Sequence, residues 1–423
     1  MRYYTRMSKS ARSIIGVIAA FLSRYRVWFI VGAAVIAAAW TLYFLFRDAS
    51  VVIAVPETEV EAYAAVMKTL AARPEAPKVR IRGFEGSGAL LLEKKRPGLA
   101  VVSLAPWIGQ ALGRGDLKLL PAAAFREETP VFPRCITEAA GGDQTGADDS
   151  GRAMLPLAFD PWLIAWHRDF IGGQKASPPR LWSDLPKLAK SIKKSGASIL
   201  ALPGREDDAV LAWLAVFTSR LDQQAAAAAF AAFPLEGRET MATGMEEFAG
   251  LQRDGLVQAG SFSYPWGDAV GLLLDKKSAG ILLSLSRYRA IDPIKSAPLI
   301  VSRLPEFAGS REFALVADLR VLVMPSRGAA GRGAEKVIAF LAETGTQRAL
   351  ADGLGFAPAS LSAPIRDGAS YAAVEAARNA GRLIPHPAAV LGEKKAADFS
   401  AALGKALRSP RDVPSILAEL YGE

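Results

Sequence analysis

A run of twenty uncharged residues constrains this chain more than any other feature. Residues 27–46 read VWFIVGAAVIAAAWTLYFLF. A helix rises about 1.5 Å per residue, so this run spans about 30 Å, which is the thickness of a bilayer's hydrocarbon core. Trp28, Trp40 and Tyr43 lie toward its two ends, where the membrane interface favours aromatic rings. The run therefore predicts a transmembrane helix.

The charges before this run predict its direction. Six basic residues and no acidic residue precede the run, and the basic residues are Arg2, Arg6, Lys9, Arg12, Arg24 and Arg26. Basic flanks stay in the cytoplasm, so 1–26 is predicted to be a cytoplasmic basic segment and 27–46 a signal anchor in the cytoplasmic (inner) membrane. The rest of the chain then lies on the extracytoplasmic, periplasmic side. Cleavage near Ala37 and Ala39 is the alternative, but it would leave an apolar tail on the mature protein.

The remaining composition excludes several classes of function. Of the net charge of +9, only 9 − 6 = +3 belongs to the residues after the anchor, and no basic stripe with interleaved aromatics follows residue 50, so no nucleic-acid partner is predicted. The single cysteine, Cys135, excludes an intrachain disulfide and a cysteine-based metal cluster. With two histidines, His167 and His386, and no nucleophile and base at a recognisable spacing, neither an enzyme nor a cofactor or metal site is predicted.

After residue 50, short apolar runs alternate with helical stretches, which is typical of an α/β sheet. Strands are predicted at 51–55, 78–84, 99–104 and 198–202, helices at 58–72 and 206–220, and a long buried strand at 154–171. Ser183 is the predicted N-cap of a further helix. Ligands of such sheets bind beyond the carboxyl ends of the strands, so Glu57, Glu85 to Ser87 and Ser103 to Trp107 are predicted to border a pocket.

The order of several segments resembles one known family. LPLAFDPWLIAWHRDFI, PPRLWSDLPKLAKSIKK, DKKSAGILLSLSRYRA, LIVSRLPEF and GRLIPHPA occur in the order and spacing of the extracellular solute-binding proteins of family 1, which serve ABC importers and include the maltose-binding protein. No single one of these motifs is specific, but the five occur in the correct order and spacing, and the correspondence runs over nearly the whole outer domain. Leu181 and Ser286 depart from the family pattern, which usually has threonine and tryptophan there.

The resemblance implies a periplasmic-binding-protein-like fold with two α/β lobes joined by crossing strands. Lobe 1 would comprise 50–157 and 308–357, and lobe 2 would comprise 158–300 and 358–423. The crossings would lie near 155–159, 300–306 and 356–360. A solute bound between the lobes would shift a hinge equilibrium by contacting both of them.

Eight residues are candidate ligand contacts, each with an alternative. Asp160 lies where the family has a ligand-contacting carboxylate, although it could instead cap Pro161 at a hinge. Trp107 could stack on a sugar or pack between helix and sheet. Tyr288 lies near the family's stacking aromatics, but Ser286 beside it argues against a sugar. Trp266 could face the cleft or wedge a turn, and Arg205 could pair with an anionic solute or stay at the surface. The prediction of Glu57, Glu85 and Ser87 as ligand contacts depends only on their positions at the ends of strands.

The predicted function is a membrane-tethered receptor that binds a small solute, with a carbohydrate as one candidate, and delivers it to ABC permease subunits. The alternative is a ligand sensor or scaffold that has kept the fold and lost or changed its solute. An enzyme on this scaffold is the third and least favoured hypothesis.

Overall fold

The computed structural model describes residues 50–86, 88, 97–105, 107–121, 153–173, 177–221, 238–258, 260–307, 313–328, 333–360, 362–364, 367–391 and 393–421, together with 32 and 35–37. Met1–Ala49 and Ser50–Glu423 form two separate compact units. Gly32 and residues 35–37 of the first unit are helical, and the rest of the predicted anchor 27–46 lies outside the described residues, as do Ser87 and Cys135. Within the described part of the chain, no helix has the length and apolar character needed to cross a bilayer.

The second unit alternates strands and helices, as the sequence predicts. Its strands are β1 (Val51–Pro56), β2 (Val79–Phe84), β3 (Leu99–Ser103), β4 (Leu117–Lys118), β5 (Met154–His167), β6 (Ser198–Ala201), β7 (Ser278–Ser284), β8 (Leu299–Ser302), β9 (Phe313–Pro325), β10 (Ala357–Pro358) and β11 (Ala380–Pro385). Its α-helices are α1 (Val60–Ala71), α2 (Trp107–Gly113), α3 (Leu185–Ile192), α4 (Asp207–Leu221), α5 (Arg238–Arg253), α6 (Trp266–Leu274), α7 (Leu285–Arg289), α8 (Pro293–Ser296), α9 (Ala334–Ala342), α10 (Thr344–Leu354), α11 (Gly368–Asn379), α12 (Pro387–Leu391), α13 (Glu393–Arg408) and α14 (Val413–Tyr421).

Two long strands, β5 and β9, join the parts of the sheet. The strand order is β2-β1-β3-β9-β5-β7-β6, and β4, β8, β10 and β11 pair with β5 or β9 beside this path. The β1–β2, β1–β3 and β6–β7 pairs are parallel, whereas β5 is antiparallel to β9 and to β7. Residues 154–161 of β5 pair with β9, and residues 162–166 pair with β7. The crossing predicted at 155–159 lies within β5, and β8 and β10, which overlap the other two predicted crossings, both pair with β5. The division into two lobes at the predicted boundaries stays a prediction.

The continuous apolar sequence of β5 explains its place in the centre of the sheet. All fourteen of its residues are buried, as expected for a strand that is covered on both faces. The register shifts at Pro156, where proline cannot donate to the ladder. Gln347, a fully buried residue of α10, donates through Nε2 to the Pro156 carbonyl at 3.1 Å and accepts from the Ser360 amide at 2.9 Å. The Pro156 carbonyl is therefore not left without a hydrogen bond at this register shift, because the Gln347 side chain replaces the missing ladder partner.

The helices bury apolar faces against the sheet. In α1, the buried residues Tyr63, Val66, Met67 and Leu70 recur at helical spacing and pack against β1 and β3. A second cluster surrounds α4, α5, α13 and α14, with Trp213 and Phe248 among its fully buried side chains. The apolar core of residues 50–423 is therefore divided among several clusters on the faces of the sheet.

The predicted helix cap at Ser183 is wrong. Residues Trp182–Asp184 form a short 3-10 turn before α3, and the side chain of Asp184 accepts a hydrogen bond from the backbone amide of Leu181. The Asp184 carboxylate, at the end of this turn, therefore satisfies the free backbone amide of Leu181 at its start. Leu181, which departs from the family pattern, is therefore the residue before the first turn.

A glycine in β7 predicts a matched pair of stability effects. Gly280 lies opposite Trp166 of β5, and a Cβ at this position would come within 2.7 Å of the indole. Replacing Gly280 with alanine is expected to lower the free energy of unfolding by about 1–3 kcal/mol, because the packed indole must move. At Gly271, on α6, an added Cβ would meet no atom within 4 Å. Alanine there is expected to stabilise the protein by up to about 1 kcal/mol, because alanine has the higher helix propensity. Urea unfolding of both variants measures the contrast, and equal effects would contradict it.

Candidate functional site

A cavity of about 390 Å³ lies where β1, β2 and β3 end. The last residue of each of these strands contributes to its wall. The lining residues are Pro56, Phe84, Gly86, Gly88, Ser103, Trp107, Asp318, Arg320, His386, Ala388 and Ala389. The cavity is therefore at the edge of the sheet where the sequence predicts a pocket, and its walls come from the beginning and from the last third of residues 50–423.

Arg320, on β9, holds the charged groups of the wall together. Its Nε donates to Glu59 Oε1 at 2.5 Å, and its Nη1 donates to Ser103 Oγ at 2.5 Å and lies 2.5 Å from Asp318 Oδ1. The side chain of Arg320 is only 12% exposed, whereas that of Asp318 is 29% exposed. The cavity therefore presents the carboxylate of Asp318, and the guanidinium behind it is already surrounded by acceptors.

The pKa values in this cluster follow from burial and from the arginine. Burial alone would raise the pKa of Asp318, but the charge of Arg320 and hydrogen bonds from Arg320 and Ser103 hold it below its ordinary value. Burial raises the pKa of Glu59, although Arg320 opposes the shift. Asp318 and Glu59 in turn raise the pKa of Arg320 despite its burial. Asp318 is thus ionised and Arg320 charged at neutral pH.

His386 forms part of the wall as a neutral ring. It is buried and stacks on Trp162, with ring centroids 5.4 Å apart. Its Nε2 lies 2.9 Å from the carbonyl oxygen of Asp208, and its Nδ1 accepts from the amide of Ala388 at 3.3 Å. Since a carbonyl can only accept, the proton is on Nε2, and burial lowers the pKa of the ring.

Behind His386 lies a second group of aromatic and charged side chains. Trp266 lies 6.1 Å from Trp162 between ring centroids and donates through Nε1 to Asp208 Oδ1 at 3.3 Å. Arg287 covers the Trp266 ring at 5.1 Å and lies 3.3 Å from Asp208 Oδ2. The Asp208 and Arg287 charges offset each other here, and Glu206 accepts from the backbone amide of Trp266 at 3.2 Å.

Asp160 is held from within the fold. Its carboxylate accepts from the Ser286 amide at 2.9 Å and from Ser286 Oγ at 2.5 Å, at the start of α7. Burial raises its pKa to about 6, although the Ser286 hydrogen bonds oppose the shift. In the β5–β9 register, Asp160 lies directly opposite Asp318, so the two carboxylates share one face of the sheet. Contact between Asp160 and a solute stays a prediction.

The other predicted contacts lie at different distances from the cavity. Trp107 lines it, at the start of α2, and its indole packs where a Cβ at Gly88 would lie. Glu57 and Glu85 are exposed and adjoin the lining residues Pro56, Phe84 and Gly86. The structure thus brings these three predicted residues to one rim.

Three predicted residues are placed away from the lining. Trp266 approaches the cavity only through Trp162 and His386. Tyr288 is half-buried against apolar side chains, and Arg205 is exposed in the turn before α4. Their roles in binding, like that of Ser87 outside the described residues, stay predictions.

Sequence reasoning missed Asp318, Arg320, Glu59 and His386. Asp318 and Arg320 stand two residues apart within an otherwise apolar strand, ALVADLRVLVMP, so both point to the same face. Two charges at a spacing of two in a buried strand are a usable signal for a functional cluster. His386 carries no comparable local signal, because its place depends on the distant Trp162. Among the described residues, no group of three or more histidine, cysteine or carboxylate side chains could hold a metal ion.

Comparison with known proteins identifies the fold. No protein-family model and no curated protein matches the chain. The bacterial solute receptor AcbH, described as specific for β-D-galactopyranose, is 14% identical at a TM-score of 0.71 over 88% of this chain and 95% of its own. A probable secreted solute-binding lipoprotein from Streptomyces coelicolor is 15% identical at a TM-score of 0.69 over 89% of this chain and 99% of its own. RafE from Streptococcus pneumoniae is 11% identical at a TM-score of 0.64 over 88% of this chain and 96% of its own.

The class of fold follows from these similarities. Residues 50–423 have the α/β fold of bacterial solute receptors, which confirms the periplasmic-binding-protein-like fold that the sequence resemblance implies. At these identities the likeness establishes the fold alone.

Proposed function

We propose that this protein is a solute-binding receptor without catalytic activity, which captures a small solute in the cavity lined by Trp107 and Asp318. The observation that carries the proposal is the cavity itself. Its volume of about 390 Å³ is in the range of small-molecule sites, and it combines aromatic surface with a few convergent polar groups. Its walls are built from parts of the chain far apart in sequence, as a site that closes around a ligand requires.

A carbohydrate is one class of solute that this site could hold. Phe84 and Trp107 offer apolar surface, and Asp318 and Ser103 offer hydrogen-bonding oxygen atoms. AcbH is described as binding β-D-galactopyranose, and the GacH receptor of Streptomyces glaucescens, 13% identical, as binding acarbose.

The receptor would be tethered to the cytoplasmic membrane through 27–46, with residues 50–423 on the periplasmic side. The uncharged run and the basic residues before it support this part of the proposal. ABC permease subunits in the same membrane would receive the solute. Tethering would keep the receptor at a high effective concentration near them.

Thermal unfolding of the full-length protein in mild detergent tests this function. Sugars, polyols, amino acids and oxyanions are screened, and a true solute at about 100 times its Kd should stabilise the protein by about 2.7 kcal/mol. Replacing Trp107 with alanine is expected to abolish most of that stabilisation, because the solute loses its aromatic surface.

The matched control is Tyr371→Ala, which removes an exposed aromatic ring outside the cavity lining and should leave the ligand-induced shift intact. If Trp107→Ala keeps the full shift, the solute binds elsewhere. If no compound in a broad panel shifts the unfolding temperature, the sensor or scaffold alternative is favoured over the receptor.

A further inference from the structure

The cavity is acidic although the protein is basic. The chain carries a net charge of +9, yet among the described residues that line this wall, contact Arg320 in it or adjoin its lining residues in the sequence, the charged side chains are four carboxylates and one guanidinium. The carboxylates are Glu57, Glu59, Glu85 and Asp318, and the guanidinium is that of Arg320. Low-dielectric walls that carry one sign of charge concentrate the field inside a cleft. The local excess therefore favours a solute of positive charge.

Arg320 offsets one of these four negative charges, and it is not available to pair with an anionic solute. It is engaged with Glu59, Ser103 and Asp318, all at 2.5 Å, and its guanidinium lies 5.5 Å from the Phe356 ring. An anionic solute would have to compete with these acceptors for a side chain that is only 12% exposed. Asp318, in contrast, is more than twice as exposed and lines the cavity.

Aromatic surface accompanies this carboxylate. Phe84 and Trp107 line the same cavity as Asp318, and packing against Gly88 orients the Trp107 indole. The face of an aromatic ring attracts an ammonium group, and a nearby carboxylate adds a charge-assisted hydrogen bond. Aromatic faces beside an ionised carboxylate form a recognised arrangement for binding organic cations.

We propose, on the basis of the receptor function above, that the solute carries a protonated amine, which Asp318 pairs with and Trp107 covers. The rest of such a solute can be a sugar ring or an aliphatic chain of similar size. A neutral compound of the same shape forfeits one charge-assisted hydrogen bond and binds about 10- to 100-fold more weakly.

Matched pairs of probes test this proposal on the full-length protein. The pairs are glucosamine and glucose, galactosamine and galactose, and 3,3-dimethylbutan-1-amine and its neutral isostere 3,3-dimethylbutan-1-ol. Calorimetry at a pH where the amines are protonated is expected to show at least one cationic member binding at least 10-fold more tightly than its partner. The preference should shrink as salt is raised from about 0.01 M to about 0.5 M, since the rim carboxylates are screened. N-acetylglucosamine, which keeps the ring and loses the charge, should behave like glucose.

Variants connect the preference to the residue. Asp318→Asn keeps the shape of the side chain and is expected to reduce affinity for the preferred amine at least 10-fold, while its neutral partner changes less than about threefold. The double variant Glu57→Gln/Glu85→Gln changes only exposed rim positions, so it stays folded even if Asp318→Asn does not. It should weaken amine binding by a smaller factor and reduce its salt dependence. Asp169→Asn, at an exposed carboxylate outside the cavity lining, is the control and should change neither.

The outcomes separate this proposal from the receptor function. If a neutral member binds as tightly as its amine, or if Asp318→Asn leaves the preference unchanged, the amine proposal is overturned and the receptor function stands. If none of the six paired compounds binds, the amine proposal is overturned too, and the broad panel then decides the receptor function independently.

Discussion

Replacing Arg320 with methionine is expected to lower the free energy of unfolding by about 3–5 kcal/mol, which is the largest single effect that the structure predicts. Methionine replaces only the aliphatic part of the arginine side chain and carries no charge, so the buried Glu59 and the partly buried Asp318 would lose their shared cation. Glu59 Oε2 and the hydroxyl of Tyr63 beside it have no hydrogen-bond partner among the described residues, so neither can compensate. The pKa values of both carboxyls should rise, and the variant should recover part of its stability as the pH falls.

Arg73→Met is the matched control for this prediction. Arg73 makes two hydrogen bonds of 2.7 Å to Glu343, but both side chains are more than 40% exposed. Water can solvate the remaining carboxylate there, so the loss should be at most about 1 kcal/mol. Adding Glu59→Gln to Arg320→Met should restore part of the lost stability, because it removes one uncompensated buried charge. Equal losses for Arg320→Met and Arg73→Met in urea unfolding would contradict the proposed burial of this cluster.

Replacing Asp160 with asparagine is expected to stabilise the protein at pH 8 and to leave it nearly unchanged at pH 4. The pKa of Asp160 is about 6 in the folded protein, above the ordinary value of 3.8, because burial penalises the charged form. Folding therefore favours the protonated carboxyl, whose contribution to stability is full below about pH 4 and is lost as the pH rises through about 6. The difference corresponds to about 3 kcal/mol at most. Asparagine keeps an oxygen for the Ser286 amide and carries no charge to bury.

Urea unfolding between pH 4 and pH 8 measures this effect. The wild-type protein should lose stability relative to Asp160→Asn as the pH rises through about 6. Asp169→Asn is the control: a hydrogen bond from Lys276 lowers the pKa of the exposed Asp169 carboxyl below its ordinary value of 3.8, so its stability relative to the wild type should not change with pH across this range. A loss of stability in Asp160→Asn at pH 8 would show instead that the ionised carboxylate is the form that Ser286 and α7 require.

Local patterns predicted the secondary structure well where burial acts on consecutive residues. The apolar runs of β1, β3 and β5 lie inside the sheet, and the helical spacing of α1 corresponds to one buried face. The carboxyl ends of the first strands predicted the position of the cavity, because parallel strands that share a direction end at one edge. The cap at Ser183 was wrong because the first turn already begins at Trp182, where Asp184 accepts from the Leu181 amide, and propensity alone does not place the first turn.

The charged cluster was beyond such reasoning. Glu59 and Arg320 lie 261 residues apart in the chain, and they meet because β9 returns beside β3. Asp160 shows the same limit from the other side. The resemblance placed it among ligand contacts, which stays a prediction, and only the packing of α7 shows that Ser286 donates to both of its oxygen atoms.

Composition and order along the chain determine the broad outcome here. An uncharged twenty-residue run and an alternation of strands and helices are encoded in neighbouring residues, so the sequence alone was enough to predict them. Which charges become buried together, which of them faces the cavity and what the pKa of Asp160 becomes were decided by the tertiary structure. The physical reason is that desolvation and Coulomb interactions depend on distances through space, and folding sets those distances between residues that the chain keeps far apart.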